Sequence, residues 1–183
     1  MDVLCKRLVL IGTSFLVLMI TLASPTSGQS SPVRTLQIHR PAYPVSCLSH
    51  HLAEEVFEIF NLDLKAGDSL KIKGKISEDA DGFVVNLGYS SSDLALHFNP
   101  RFNESVIVCN SKCSKAWQQE HRDNHLSFSK GSTIKLIIEF LAEKFQVKLP
   151  DGHEVEFPNR HCYDKITYMS VKGGFRVTSF KLD

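Results

Sequence analysis

From Val56 onward, short apolar runs alternate with polar residues and are separated by turn residues. Leu70–Ile76 alternates strictly, and the stretches Lys65–Asp68 and Asp79–Gly82 carry residues that favour turns. Successive side chains of a strand point to opposite faces, so a period of two indicates strands with one buried face. Further runs of this kind lie at 57–62, 83–87, 94–102, 106–109, 134–140, 145–149, 155–157, 166–171 and 175–182. About ten short strands predict an all-β sandwich or barrel.

The residues before this β-rich segment divide into two parts. Residues 1–28 read as a secretory signal peptide, because Lys6 and Arg7 precede an apolar run, Leu8–Ala23, and small residues follow. The run is near the lower limit for a bilayer-spanning helix, so a signal anchor is the alternative. Residues 29–53 contain several prolines and no periodicity, which predicts a largely irregular linker with a short helical turn near Leu52–Glu55. Residues 54–183 then form one domain without internal repeats.

Composition excludes several classes of function. The formal net charge is +1, and neither a basic cluster interleaved with aromatics nor a glycine-rich phosphate loop is present. We therefore expect no nucleic-acid partner and no stable membrane insertion. The five cysteines fit no disulfide-rich module, and a chain of this length needs none to fold, so we favour free thiols over a disulfide framework. They are Cys5, Cys47, Cys109, Cys113 and Cys162.

A polar face is predicted on the run 94–102. In a strand, His97, Asn99 and Arg101 share one face, while the apolar residues between them turn to the core. Antiparallel pairing with the next run can bring Asn110 to the same face. The only tryptophan, Trp117, lies in the polar segment 114–119, which predicts that its ring is exposed.

These residues resemble the signature of the galectins. The signature appears here as His97-x-Asn99-Pro100-Arg101, then Val108-x-Asn110, then Trp117-x-x-Glu120-x-Arg122. Family landmarks are also recognisable at 81–88, 148–153 and 173–175. The resemblance runs from Val56 to Asp183 and is greatest to single-domain galectins of the galectin-2 kind. It implies an all-β jelly-roll sandwich of two antiparallel sheets, here preceded by the leader and the flexible linker.

The resemblance also implies a function and a site. The chain is expected to be a metal-independent, non-enzymatic lectin, without cofactor or catalytic residues, for galactose, lactose and N-acetyllactosamine units of glycoproteins or glycolipids. Trp117 would stack on the apolar face of galactose. The axial 4-hydroxyl would meet His97, Asn99 and Arg101; the 6-hydroxyl would meet Asn110 and Glu120; and the 3-hydroxyl of the next sugar would meet Arg101, Glu120 and Arg122. Relatives of this kind form homodimers through their terminal strands, and a homodimer is expected here, although the long N-terminal extension departs from their geometry.

Three other functions fit parts of this sequence less well. Cys109, Cys113, His121 and His125 form a two-Cys, two-His pattern, but the central gap is shorter than in zinc fingers, so no metal site is expected. Glycoside hydrolysis needs two opposed carboxylates, one of which acts as a general acid. Glu120 lies near arginines that lower its pKa, and Asp123 is the only nearby candidate for the second carboxylate, so hydrolysis is not expected. A galectin-like structural or protein-interaction module with weak or no sugar binding is the remaining alternative. Such relatives have broken signatures, whereas this signature is complete.

The leader predicts an extracellular, secreted protein, with residence in the cytoplasm left open as for other galectins. Galectins generally lack a signal peptide, so residues 1–28 are a departure from the family. On the secretory route, the sequon Asn103-Glu104-Ser105 could be N-glycosylated beside the predicted groove. The same loop lacks an additional histidine that some galectins carry, so preferences for extended glycans are expected to differ.

Overall fold

The structure, a computed structural model, describes residues 56–183 together with the backbone of two short upstream strands. In chain order the strands are β1 Leu16–Met19, β2 Leu36–Gln37, β3 Phe57–Lys65, β4 Ser69–Ile76, β5 Phe83–Ser90, β6 Asp93–Arg101, β7 Val106–Cys113, β8 Ala116–Trp117, β9 His121–Asp123, β10 Thr133–Phe140, β11 Lys144–Lys148, β12 Glu154–Pro158, β13 Lys165–Gly173 and β14 Phe175–Leu182. Within the described residues, no helix is long and apolar enough to cross a membrane. The leader, the linker and the helical turn predicted near Leu52–Glu55 lie outside these residues, apart from β1 and β2.

The strands form two sheets. The eight-stranded sheet has the order β1-β3-β13-β5-β6-β7-β8, with β9 also paired to β7, and the six-stranded sheet has the order β12-β11-β10-β4-β14-β2. Every ladder within residues 56–183 is antiparallel, whereas β1 pairs with β3 in parallel. The chain changes sheets between β3 and β4 and again between β4 and β5. The predicted jelly-roll sandwich is therefore confirmed, and two upstream strands are added to it: β1, parallel to β3, and β2, antiparallel to β14.

The core lies between the two sheets. Leu96, Phe98 and Ile107 from the eight-stranded sheet are fully buried, as are Ile72 and Phe145 from the six-stranded sheet. Burying an aliphatic or aromatic side chain of this size stabilises a fold by roughly 1.5–3 kcal/mol. Phe98, Ile72 and Phe145 each lie between two polar residues of their strand, so their burial fixes that those neighbours face outward.

A close backbone contact extends the ladder at the end of β6. Gly82 forms an isolated antiparallel bridge with Arg101. A Cβ atom added at Gly82 would lie 2.5 Å from the carbonyl oxygen of Pro100, so only glycine allows this approach. The bridge fixes the backbone of Arg101 just before the chain turns at 102–105.

Candidate functional site

The outer face of β6 carries the predicted polar row. His97, Asn99 and Arg101 are partly exposed, whereas Phe98 and Pro100 between them are buried. His97 lies opposite Asn110 on β7 and opposite Asn86 on β5. The antiparallel register therefore brings side chains of β5, β6 and β7 into one row, as expected for Asn110. The contribution of Asn86 was not predicted.

Asn86 orients the imidazole of His97. The Nδ2 group of Asn86 donates to Ser170 Oγ at 3.0 Å, so its Oδ1 faces His97. Nδ1–H of His97 then donates to that oxygen at 2.8 Å, which leaves Nε2 as an acceptor. Burial, assisted by the positive charge of Arg101, lowers the pKa of His97 to about 4 despite the opposing influence of Glu120. The imidazole is therefore neutral at pH 7.

Two amides fix the neighbouring groups. Asn99 Oδ1 accepts from Arg101 Nε at 2.8 Å, and Asn99 Nδ2 donates to the carbonyl oxygen of Phe83 at 2.8 Å. On β7, the buried Asn110 donates from Nδ2 to the carbonyl oxygen of Gln118 at 2.9 Å. Asn110 thus ties β7 to the segment that follows β8, and one of its two amide hydrogens stays free.

Two carboxylates bridge two guanidinium groups beside this row. Arg101 donates to Glu104 Oε1 at 3.1 Å and to Glu120 Oε1 at 3.2 Å. Arg122 donates to Glu104 Oε2 at 2.7 Å and to Glu120 Oε2 at 3.0 Å. Hydrogen bonds from Arg122 and Arg101 lower the pKa of Glu104, and hydrogen bonding by Arg122 is the main cause of the lowered pKa of Glu120. Both carboxylates are therefore ionised at neutral pH, and each guanidinium has a fixed orientation.

Glu104 was not predicted as a site residue. It follows Arg101 by three positions in the turn that joins β6 to β7, and the turn folds its carboxylate back over the arginine. Asn103, in the same turn, is exposed and donates from Nδ2 to Asp81 Oδ1 at 3.0 Å. The only sequence signal for Glu104 is its proximity to Arg101 in a short loop.

Trp117 stands at the other end of the polar row. Its side chain is 51% exposed, and its ring meets the His97 ring edge-on, with centroids 4.7 Å apart. β8 is held beside β7 by a two-residue turn, in which Ser114 and Lys115 both have positive φ angles of 48° and 72°. Such a turn matches the twist of paired strands. This turn directs the flat, apolar indole ring of Trp117 toward the groove, beside the imidazole ring of His97.

The zinc alternative conflicts with the environment of Cys109. This thiol is buried in β7, and burial raises its pKa to about 12, so it stays protonated and is a poor metal ligand. Cys113 and Cys162 are exposed, and all three of these thiols are free. Within residues 56–183, no three His, Cys, Asp or Glu side chains are grouped as metal ligands.

The groove therefore combines an exposed indole, a neutral imidazole acceptor, guanidinium donors and carboxylate acceptors. Comparisons with known proteins agree with this chemistry. A family model described as galactoside-binding lectin matches residues 56–182. Human galectin-2 is 54% identical over 125 residues, which cover 68% of this chain and 95% of that protein.

Two solved structures share the fold. The crystal structure of chicken galectin 2 is 70% identical, with a TM-score of 0.70, and covers 72% of this chain and 100% of its own. A toad ovary galectin, solved in complex with thio-digalactose, is 35% identical with a TM-score of 0.68 and covers 70% of this chain and 98% of its own. This chain therefore belongs to the galactoside-binding lectin family, the galectins, and within it resembles galectin-2.

Proposed function

We propose that this chain binds the terminal β-galactosides of glycoproteins and glycolipids in the groove on the outer face of β5, β6 and β7. The observation that carries the proposal is the neutral His97 acceptor, which lies between the Arg101 guanidinium and the exposed Trp117 ring. The toad ovary galectin, whose structure contains thio-digalactose, supports the choice of ligand class.

Galactose fits this set of groups because its two faces differ. One face presents C–H groups, which pack on the electron-rich face of the indole. The axial 4-hydroxyl can donate to His97 Nε2 and accept from Arg101 at the same time. In a glucoside this hydroxyl is equatorial and cannot meet both partners, and each polar group left unpaired costs roughly 1–3 kcal/mol.

The second sugar of a disaccharide extends toward the two carboxylates and Arg122. The hydroxyl at its position 3 can bond to Arg101, Glu120 and Arg122, all held rigid by the network that includes Glu104. The groove is open and the ligand is small, so we expect a dissociation constant for lactose on the order of 0.1–1 mM. A homodimer would raise the effective affinity for multivalent glycans.

Binding is expected to persist in mild acid. An ordinary histidine titrates near pH 6.5, whereas His97 has a pKa of about 4 and keeps its acceptor until the pH falls through that value. Glu104 and Glu120 have lowered pKa values and stay ionised near pH 5. Titrations with lactose at pH 7.5, 6, 5 and 4 should give similar affinities down to pH 5 and about a twofold loss at pH 4, where half of the His97 rings are protonated. A loss centred near pH 6.5 in the folded protein contradicts the assigned state of His97.

Glu104 is expected to support binding without being essential. Replacing Glu104 with Gln removes the charge that bridges Arg101 and Arg122, but Glu120 still holds both. Because exposed ion pairs contribute little, we expect lactose affinity to fall by no more than about fivefold. Glu143→Gln, at an exposed site on the six-stranded sheet side, is the control and should leave affinity unchanged. An effect of Glu104→Gln no larger than this control argues against a role for the bridge.

Hydrolysis of the bound sugar is not expected, in keeping with a family of lectins. A glycosidase needs one protonated carboxyl group as a general acid. Glu104 and Glu120 are both bound by the same two guanidinium groups, and their pKa values are lowered, so neither retains the proton. Lactose should remain intact after long incubation with the protein.

We also propose that residues 1–28 direct the chain into the secretory pathway. The basic residues, the apolar run and the small residues that follow support this role. Mass spectrometry of protein secreted by transfected cells should find a new N-terminus close to residue 28. The same spectra report any glycan on the exposed Asn103, whose attachment would place a bulky group beside Arg101 and Glu104.

Binding itself is tested on a lactose affinity column. The purified chain should be retained and should elute with free lactose but not with cellobiose, which carries the equatorial 4-hydroxyl. Failure to bind the column favours the alternative of a galectin-like module without sugar binding.

A further inference from the structure

Two histidines and two aspartates form a reciprocal cluster next to the groove, here called the His–Asp clasp. The imidazole of His125 donates from Nε2 to Asp151 Oδ2 at 2.6 Å, and that of His153 donates from Nε2 to Asp123 Oδ2 at 2.8 Å. The two rings stack with centroids 4.0 Å apart and an interplanar angle of 25°. The pattern is reciprocal, because each carboxylate is bound by the histidine of the other segment.

Each aspartate also fixes its own segment. The second oxygen of Asp123 accepts from the backbone N–H of His125 at 2.8 Å, and the second oxygen of Asp151 accepts from that of His153 at 3.2 Å. The hydrogen bond from His125 is the main cause that lowers the pKa of Asp151 to about 2. Burial alone would raise the pKa of Asp123, but the bonds from His153 and His125 prevail and lower it. Both carboxylates are therefore charged acceptors at neutral pH, with both oxygens engaged.

The clasp joins the two sheets of the sandwich. Asp123 is the last residue of β9, in the eight-stranded sheet, while Asp151 and His153 lie in the turn between β11 and β12 of the six-stranded sheet. β9 is short and is paired only with β7, through three residue pairs. Such a strand has few backbone bonds of its own, so side-chain contacts decide how firmly it is held.

The residue held by the clasp adjoins the site. Arg122 immediately precedes Asp123 and donates to both Glu104 and Glu120. Fixing the carboxylate of Asp123 restrains the backbone from which Arg122 projects. The galactose position is formed by residues of β6 and β8, namely His97, Asn99 and Trp117. Neither of these strands pairs with β9, the strand that carries Asp123.

We propose that the clasp is a positioning device for the second sugar subsite, so that His125, His153 and Asp151 raise affinity for a disaccharide through Arg122 without touching the ligand. This inference rests on the proposed function and deepens it. The turn between β11 and β12 of the six-stranded sheet then contributes to the preference for lactose over a single galactose unit.

The test compares two ligands in one set of variants. Lactose reaches Arg122, whereas methyl β-galactoside occupies only the galactose position beside His97 and Trp117. His153→Ala removes one bond to Asp123 and the ring stack, and His153→Gln keeps an amide that can donate to Asp123. Glu156→Ala is the matched control, because it removes an exposed ion pair with Lys144 from the adjacent strand β12 without any link to β9. NMR titrations measure both affinities, and thermal unfolding confirms that each variant is folded.

We expect His153→Ala to weaken lactose binding about 3- to 10-fold and to change methyl β-galactoside binding less than about twofold, because Arg101 still holds Glu120. His153→Gln should recover most of the loss, and Glu156→Ala should match the wild type for both ligands. Equal losses for the two ligands, or no loss for either, overturn the proposal, although the galactoside-binding function stands in both cases. A wild-type protein that binds neither sugar overturns the proposed function itself.

A second measurement needs no variant. The ring protons of His125 and His153 should shift when wild-type protein is saturated with lactose, because the clasp responds to ligand contact at Arg122. Saturation with methyl β-galactoside should leave them in place. Identical spectra with the two ligands overturn the proposal even if His153→Ala does not fold.

Discussion

Replacing Arg101 with alanine is expected to abolish measurable lactose binding. Arg101 donates to Asn99, Glu104 and Glu120, so the change removes a donor to the sugar and also frees groups that the guanidinium holds in place. A hydrogen bond that involves a charged group contributes about 1.5–3 kcal/mol, and here both effects add to an expected loss of about 2–4 kcal/mol. That is roughly a 30- to 1,000-fold loss of affinity. Calorimetric titration with lactose measures it.

The effect should be specific to the position of the guanidinium. Arg176 is exposed on β14 of the six-stranded sheet, so Arg176→Ala makes the same change in charge away from the groove and should leave binding intact. Arg101→Lys keeps the charge but not the fork that bonds to several acceptors at once, so most of the affinity should still be lost. Near wild-type binding by Arg101→Ala would falsify the assignment of this groove.

Replacing Trp117 with alanine is the second change with a large expected effect. Trp117 is 51% exposed in the free protein, so the sugar can cover its ring without any rearrangement of the core. Contact between the indole and the apolar sugar face removes apolar area from water and adds the attraction of polarised C–H groups to the ring. We expect a loss of about 1.5–3 kcal/mol, or roughly 10- to 150-fold in affinity, when lactose is titrated.

An exposed aromatic elsewhere on the same sheet provides the comparison. Tyr89 is 44% exposed on β5 and packs against Tyr163 instead of facing His97. Tyr89→Ala should bind lactose as the wild type does, and Trp117→Phe should keep part of the affinity because a smaller ring remains. The intrinsic fluorescence of the only tryptophan should change on addition of lactose. An unchanged spectrum in a protein that binds lactose would place the sugar away from the indole.

The strand period explains why much of the fold and the site face could be predicted from the sequence. The run 94–102 was predicted as a strand, and β6 spans Asp93–Arg101. Because Leu96, Phe98 and Pro100 face inward, the alternate side chains must face outward, and His97, Asn99 and Arg101 do so. Antiparallel pairing was expected to bring Asn110 to the same face, and in the structure it lies opposite His97.

The strand period does not predict the strands β8 and β9, nor the hydrogen-bond partners Asn86 and Glu104. β8 and β9 are short and largely exposed, so they have no alternation to detect. The turn before β8 contains Ser114 and Lys115, whereas glycine and asparagine are the usual signals for its conformation. Asn86 reaches His97 from a neighbouring strand, and Glu104 reaches Arg101 through a turn. Contacts of this kind depend on register and loop shape, which local sequence does not determine.

The hydrogen bonds of the clasp could not be predicted from local sequence either, because they join residues that are far apart in the chain. His125 and Asp151 are 26 positions apart, and His153 and Asp123 are 30 apart. Each pair joins a loop of one sheet to a turn of the other, so only the packing of the whole sandwich brings them together. Asp123 stood out in the sequence only as a candidate second carboxylate, and in the structure it is bound to two histidines.

The most direct test of sugar recognition by this groove is a pair of calorimetric titrations of the wild-type protein with lactose and with cellobiose. The two disaccharides share their linkage and differ at the 4-hydroxyl of the terminal sugar, the group assigned to His97 and Arg101. We predict a single lactose site per chain with a dissociation constant on the order of 0.1–1 mM, and no measurable binding of cellobiose. Equal affinity for the two sugars, or no binding of lactose, would contradict the account.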